Sequence, residues 1–71
     1  GREGLIGAVG TVRQAIAPEG YVFVEGELWR AKSPAGPLEP GTTVRVIAID
    51  GLTLTVMPAE SEQALAAGQG A

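Results

Sequence analysis

Seventy-one residues make one domain and no more, and a chain this short buries only roughly 60% of the surface its unfolded form exposes, so its apolar residues must be used efficiently or a partner must help. There is no cysteine and no histidine, which excludes disulfides and thiolate metal sites and removes the commonest general base and metal ligand. The formal charge is −3, from 8 acidic and 5 basic residues, and the cations are scattered as Arg2, Arg13, Arg30, Lys32 and Arg45, which argues against a nucleic-acid footprint or an anionic membrane surface.

Residues 1–6 read as an N-terminal linker. They lack the charged start and apolar stretch of a signal peptide. The opening Gly1, without Met, is consistent with an excised or processed fragment, which leaves room for a membrane anchor outside it. Within the chain, no apolar run approaches the roughly 20 residues that span a bilayer.

The barrel domain is expected over residues 7–58. Val, Ile, Thr and Leu recur in short runs punctuated by Gly or Pro, the pattern of a β sandwich or barrel. Gly7 to Ile16 is the first run. Its glycines, Gly7 and Gly10, mark a bulge or tight bend that lets one long strand serve both halves of a small barrel. Ala17-Pro18-Glu19-Gly20 reads as a turn, with Gly20 free to take a positive φ.

Tyr21 to Val24 is the second strand. Glu25-Gly26 is a hairpin signal, and Glu27 to Lys32 is its antiparallel partner. Ser33 to Gly41 holds Pro34, Gly36, Pro37 and Pro40, so it reads as an ordered surface loop. Thr43 to Ile49 is the clearest strand, with Val44, Val46 and Ala48 on one face and Arg45, Ile47 and Ile49 on the other. Asp50-Gly51 is the next hairpin turn. Leu52 to Met57 follows, with Leu52, Leu54 and Val56 on one side, and Pro58 stops it.

Residues 59–71 read as a tail, a short helical turn near Ser61 to Ala67 or disordered chain. The count is five strands with no helix inside. A curled five-strand meander of this size is close to an OB-fold barrel, with the proline-rich loop in place of a helix between the third and fourth strands. The expected core is Val12, Val22, Val24, Trp29, Ala31, Val44, Val46, Leu54 and Val56.

Several residue patterns together resemble the soluble C-terminal domain of the NfeD family. They are Gly7 and Gly10 with Thr11-Val12, Pro18-Glu19-Gly20, Val24-Glu25-Gly26-Glu27-Leu28-Trp29-Arg30-Ala31, Pro40-Gly41, Val44-Arg45-Val46, Asp50-Gly51 and Leu52 to Val56. The ordered set G-E-x-W-x-A, G-x-x-V-x-V, G-x-x-L-x-V covers about four-fifths of the chain, and Trp29 is its most telling residue. The resemblance implies an OB-like five-stranded barrel attached to an integral membrane protein, facing the cytoplasm. It also implies stomatin, prohibitin or flotillin-type scaffolds as partners, and a role in membrane protease regulation or membrane quality control. Longer family members carry a Clp-like serine protease segment, of which this chain has none.

The residues themselves argue against catalysis. Ser33 and Ser61 are the only serines; neither sits in a G-x-S-x-G turn, and no histidine is present to activate either. Lys32 and Ser33 are sequence neighbours, which a strand points to opposite faces. Glu25 and Glu27 beside their turn fit solvated carboxylates better than a cation site, because Ca²⁺ wants six or more oxygens. No cofactor or metal site is therefore expected.

Trp29 reads as core, with an interface anchor as the alternative. Tyr21 and Phe23 share one parity, so their rings lie together outside if Val22 and Val24 face inward; the opposite orientation stays open. The candidate partner-binding surface is Tyr21, Phe23, Arg30, Pro34 and Pro37, and the expected function is a non-catalytic protein-interaction module. The alternative is an OB-type module for single-stranded nucleic acid, stacking bases on the aromatic pair.

Overall fold

In a computed structural model that describes residues 2–59, the chain folds into five strands: β1 Val9–Gln14, β2 Glu19–Val24, β3 Glu27–Lys32, β4 Thr43–Asp50 and β5 Thr53–Pro58. They close a barrel in the order β1-β2-β3-β5-β4. The order is not a meander. β3 runs parallel to β5, and the proline-rich loop carries the chain across to β4. An all-β, OB-like barrel is therefore the fold. The tail from Glu60 onward, with its expected helical turn, lies outside the described residues.

β1 serves two neighbours, as its glycines suggest. Thr11 to Gln14 pair with β2, and Val9 to Thr11 pair with β4. Gly10 sits at the crossing. A Cβ there would lie 2.5 Å from Val24 Cγ2 and 2.6 Å from the Phe23 carbonyl oxygen, so the strands approach closely only because no side chain intervenes. A bulge between Val12 and Gln14 turns the outgoing chain so that Ile16 is also inward.

The core is aliphatic. Val12, Val22, Val24, Ala31, Val44, Val46, Leu54 and Val56 are all buried, together with Leu5, Ile16 and Ala59. Trp29 is not in that core, which corrects the sequence expectation. It faces the same side as Val22, its partner across the β2–β3 ladder, but it is only partly buried and packs on the edge of the cluster. The reason is its level along the barrel. The β3–β5 ladder begins at Arg30, so Trp29 stands one residue beyond the point where that wall closes.

Residues 2–5 are not a linker. Arg2–Leu5 form one turn of 3-10 helix, and Leu5 packs into the core. The Gly7 amide donates to the Val46 carbonyl at 2.8 Å, the Val46 amide donates to Ala8 at 2.9 Å, and Arg45 Nη1 donates to the Gly7 carbonyl at 2.8 Å. The entering chain is thus sewn to β4. Its apolar Leu5 covers an end of the barrel that would otherwise be wet.

Two parity expectations also change. A bulge between Val46 and Ala48 inverts the second half of β4. Ala48 is then exposed, whereas Ile49 packs against the core opposite Leu54. The β4–β5 turn centres on Gly51-Leu52, not Asp50-Gly51, because Asp50 pairs with Thr53. Gly51 takes φ +63 at the first central position, the pattern of a type II′ turn. Leu52 is thereby pushed out of the strand and is 66% exposed.

The β2–β3 turn has two positive-φ residues, Glu25 at +53 and Gly26 at +81, as a type I′ turn requires. Asparagine tolerates that first position much better than glutamate. Glu25→Asn should stabilise the chain by about 1 kcal/mol, the lower end of the strain stored by a residue in a sparsely populated region. A urea midpoint unchanged or lowered in the variant would contradict the assignment of strain.

Candidate partner-binding surface

Alternation along β2 and β3 decides what reaches the outside. Val22 and Val24 are buried, so Tyr21 and Phe23 face out. On β3 the outward residues are Leu28, Arg30 and Lys32, directly paired with Phe23, Tyr21 and Glu19. The β2–β3 hairpin therefore presents three cross-strand pairs on one outer face: an apolar pair near the turn, an aromatic–cation pair in the middle and a charged pair at the far end.

The rings are already in contact with cations. The Arg13 guanidinium lies over the Phe23 ring at 4.5 Å from its centroid, and that of Arg30 lies over Tyr21 at 6.0 Å. Arg30 also approaches Glu19 at 3.7 Å. The Tyr21 hydroxyl, and with it the Glu19 carboxylate, push the Arg30 pKa up, and a guanidinium is a permanent cation in any case. Such exposed pairs add little stability, about 0–1 kcal/mol each. Their effect is to fix side-chain positions on the face.

Next to the hairpin turn the apolar pair extends further. Leu28 is 59% exposed and Phe23 36%, and Leu28 shares a groove with Leu52 of the neighbouring turn. Leu28, Trp29, Arg30, Glu27 and Leu52 line one shallow groove. Leu28 and Leu52 escaped the sequence reading. Leu52 shares the parity of Leu54 and Val56 in the sequence, and only the one-residue shift of the turn puts it outside.

A second shallow groove is lined by Gln14, Glu19, Gly20, Tyr21 and Arg30, and a third by Pro18, Glu19, Lys32, Ser33 and Pro34. Arg30 joins the first to the second, and Glu19 joins the second to the third. The structure thus brings Tyr21, Arg30 and Pro34 onto one outer track, and Phe23 shares the outer face of β2 with Tyr21 without lining any of the three grooves. Pro37 does not share it: it lines a separate depression with Leu38, Glu39, Pro40, Gly41 and Thr42.

Chemically this track is poor in reactive groups. Among the described residues, no three of His, Cys, Asp and Glu gather as a metal site. Lys32 lies 3.6 Å from Asp50, not poised on Ser33. The Trp29 Nε1 and Ser33 Oγ atoms are buried without a hydrogen-bond partner among the described residues. No helix among those residues is long and apolar enough to cross a membrane.

Comparison with known proteins places these features in context. Residues 2–58 match the NfeD-like C-terminal, partner-binding domain. The chain is 48% identical over 63 residues to a membrane-bound protease of Pyrococcus horikoshii, covering 87% of this chain but only 14% of that relative. Among solved structures it is similar to the C-terminal domain of stomatin operon partner protein 1510-C from Pyrococcus horikoshii, at 49% identity and a TM-score of 0.77, covering 82% of this chain and 92% of the other. It also resembles the soluble domain of a membrane protein implicated in regulation of membrane protease activity from Corynebacterium glutamicum, with 32% identity, TM-score 0.73 and coverage of 79% and 94%. The soluble domain of the NfeD protein YuaF from Bacillus subtilis is 34% identical, with TM-score 0.70 and coverage of 83% and 80%.

Proposed function

This chain belongs to the NfeD family as its C-terminal, partner-binding domain, and from that premise we propose that it is a non-catalytic docking module of a membrane-anchored protein. Its partner is a stomatin-type scaffold or a membrane protease, engaged on the cytoplasmic side. The carrying observation is the match of the family's partner-binding domain over residues 2–58, nearly all of the folded part. The relatives add support, since one is named a stomatin operon partner and another is implicated in regulating membrane protease activity. The chain has no histidine, and Lys32, the base that a Ser–Lys pair at Ser33 would need, lies 3.6 Å from Asp50.

The contact surface is the outer face of β2–β3, with Tyr21, Phe23 and Arg30 from the sequence reading and Leu28 and Leu52 added by the fold. Exposed aliphatic and aromatic side chains beside fixed arginines are what interface centres are made of. The test is a titration of the cognate stomatin-type protein with the full-length protein, anchor included. Binding is expected, and Phe23→Ser combined with Leu28→Ser should weaken it at least about ten-fold, or roughly 1.4 kcal/mol. Both positions are outward, so the thermal midpoint should move little. Absence of binding by the unmodified protein would remove the proposal.

A further inference from the structure

The barrel end that carries the β2–β3 and β4–β5 turns has a defined opening. Glu27, Leu28 and Trp29 have a ladder neighbour on the β2 side only, because pairing with β5 starts at Arg30. The Gly51-Leu52 turn stands beside this unpaired stretch and leaves the groove whose walls are Leu28, Trp29 and Leu52. Its two leucines are the most exposed large apolar residues of the described chain.

Two carboxylates and one guanidinium, that of Arg30, stand at that opening. Glu27 lines the groove and Glu25 stands in the adjoining turn. Neither carboxylate is in an ion pair among the described residues. The nearby cations are engaged elsewhere: Arg30 with Glu19 and Tyr21, Lys32 with Asp50, and Arg13 on the Phe23 ring. Arg30 lines the groove too, but its charge faces Glu19 at 3.7 Å, so the groove charges without an opposite partner among the described residues are those of Glu25 and Glu27.

We propose that this groove docks a cationic apolar segment of a partner protein, with apolar side chains seated on Leu28 and Leu52 and a flanking Lys or Arg facing Glu25 and Glu27. The proposal rests on the partner-binding reading and narrows it to one groove and one sign of charge. Apolar contact supplies the affinity, at about 25 cal/mol per Å² removed from water. The carboxylates supply orientation and discrimination, since a segment with acidic flanks meets like charge. The attraction is between exposed charges and is weakened by salt.

Trp29 is the only tryptophan of the chain and lines the groove, so its emission reports occupancy directly. The probes are two synthetic amphipathic peptides with leucines at the same positions, one with lysine and the other with glutamate at every polar position. At low salt the leucine–lysine peptide should change Trp29 emission saturably and bind at least about ten-fold more tightly than its glutamate counterpart. Glu25→Lys with Glu27→Lys should reverse that order. Glu39→Lys, a charge change away from the groove, should leave it unchanged. Leu52→Ser, at an exposed turn position, should weaken both peptides.

Equal affinity for the two peptides, no saturable change, or a reversal produced equally by Glu39→Lys would overturn the proposal. So would a concentration-dependent dimer, seen by sedimentation and abolished by Leu52→Ser, since it would assign the groove to a second copy. Normal binding of the stomatin-type partner by the Glu25→Lys, Glu27→Lys variant would overturn the groove while leaving the wider docking reading intact. Failure of the unmodified protein to bind that partner, with the peptide preference preserved, would remove the wider reading and support the groove.

Discussion

Gly20→Ala should cost the domain about 3 kcal/mol or more, the upper range for forcing extra atoms into a packed interior. The cause is not backbone conformation. Gly20 lies within β2, paired with Ala31, and its φ is not among the positive ones. The cause is the neighbouring chain. A Cβ at this position would meet the carbonyl oxygens of Gln14 and Ala15 and the carbonyl carbon of Ala15, all of them backbone atoms. They have little room to retreat. Just upstream is the bulge of β1, and just downstream the Ile16 amide and carbonyl both bond to Leu38, at 2.9 and 3.0 Å.

A domain of this length has a total stability of about 4–11 kcal/mol, at 0.05–0.15 kcal/mol per residue, so the variant would lose a large part of it. Thermal unfolding should fall by about 12 °C or more, given 4–8 °C per kcal/mol for domains of this size. A midpoint within a few degrees of the unmodified chain would show that β1 yields easily, and the close-approach argument would fail.

The same glycine illustrates what the sequence discloses and what it withholds. Pro18-Glu19-Gly20 looked like a turn because Gly commonly supplies positive φ. Here Glu19 and Gly20 are already strand, and glycine is required by the close approach of Gln14 and Ala15 at the end of the paired strand β1, beside a bulge that no periodicity discloses. Period-two reasoning succeeded wherever a strand stayed regular: Glu27–Lys32 has the expected bounds, and the parities of Val22, Val24, Leu54 and Val56 hold. It failed where a bulge intervened, as at Ala48 and Ile49, since one extra residue exchanges the faces.

The candidate surface was half legible for the same reason. Alternation puts Tyr21 and Phe23 on one face, and only the burial of Val22 and Val24 decides that this face is the outer one. Leu28 needed the β2–β3 register to be recognised as the partner of Phe23. Leu52 needed the turn type, and a shift of a single residue decides between core and surface. Trp29 was legible in direction and wrong in depth. Its inward parity is real, but depth is set by where β5 begins, a non-local fact. Leu5 lay in a segment without strand periodicity, and only its contact with β4 makes it part of the core.

Ile16→Ala should have the other large effect, about 3–5 kcal/mol, in the range for truncating a fully buried aliphatic residue. Ile16 is 0% exposed and ranks first by volume among the fully buried side chains. Its surroundings form a closed ring of hydrogen-bonded strands, which cannot collapse into the vacated space without opening a ladder. Ile16 also has a second role. Its backbone pairs with Leu38, and Leu38 packs against the core, so the proline-rich loop is held to the barrel at this bridge. Loss of the side chain should therefore loosen the loop before the barrel, and the Leu38 amide should exchange faster than the Val22 amide by a larger factor than in the unmodified chain. Ile47→Ala is the control. Its side chain is 46% exposed on the outer side of the β4 bulge, and its removal should cost about 0.5 kcal/mol or less. Equal urea midpoints for the two variants would refute the placement of Ile16 at the centre. Unchanged exchange at Leu38 would refute the coupling between core and loop, and would leave Pro34 and its groove free to move independently of the face that Tyr21 and Arg30 define.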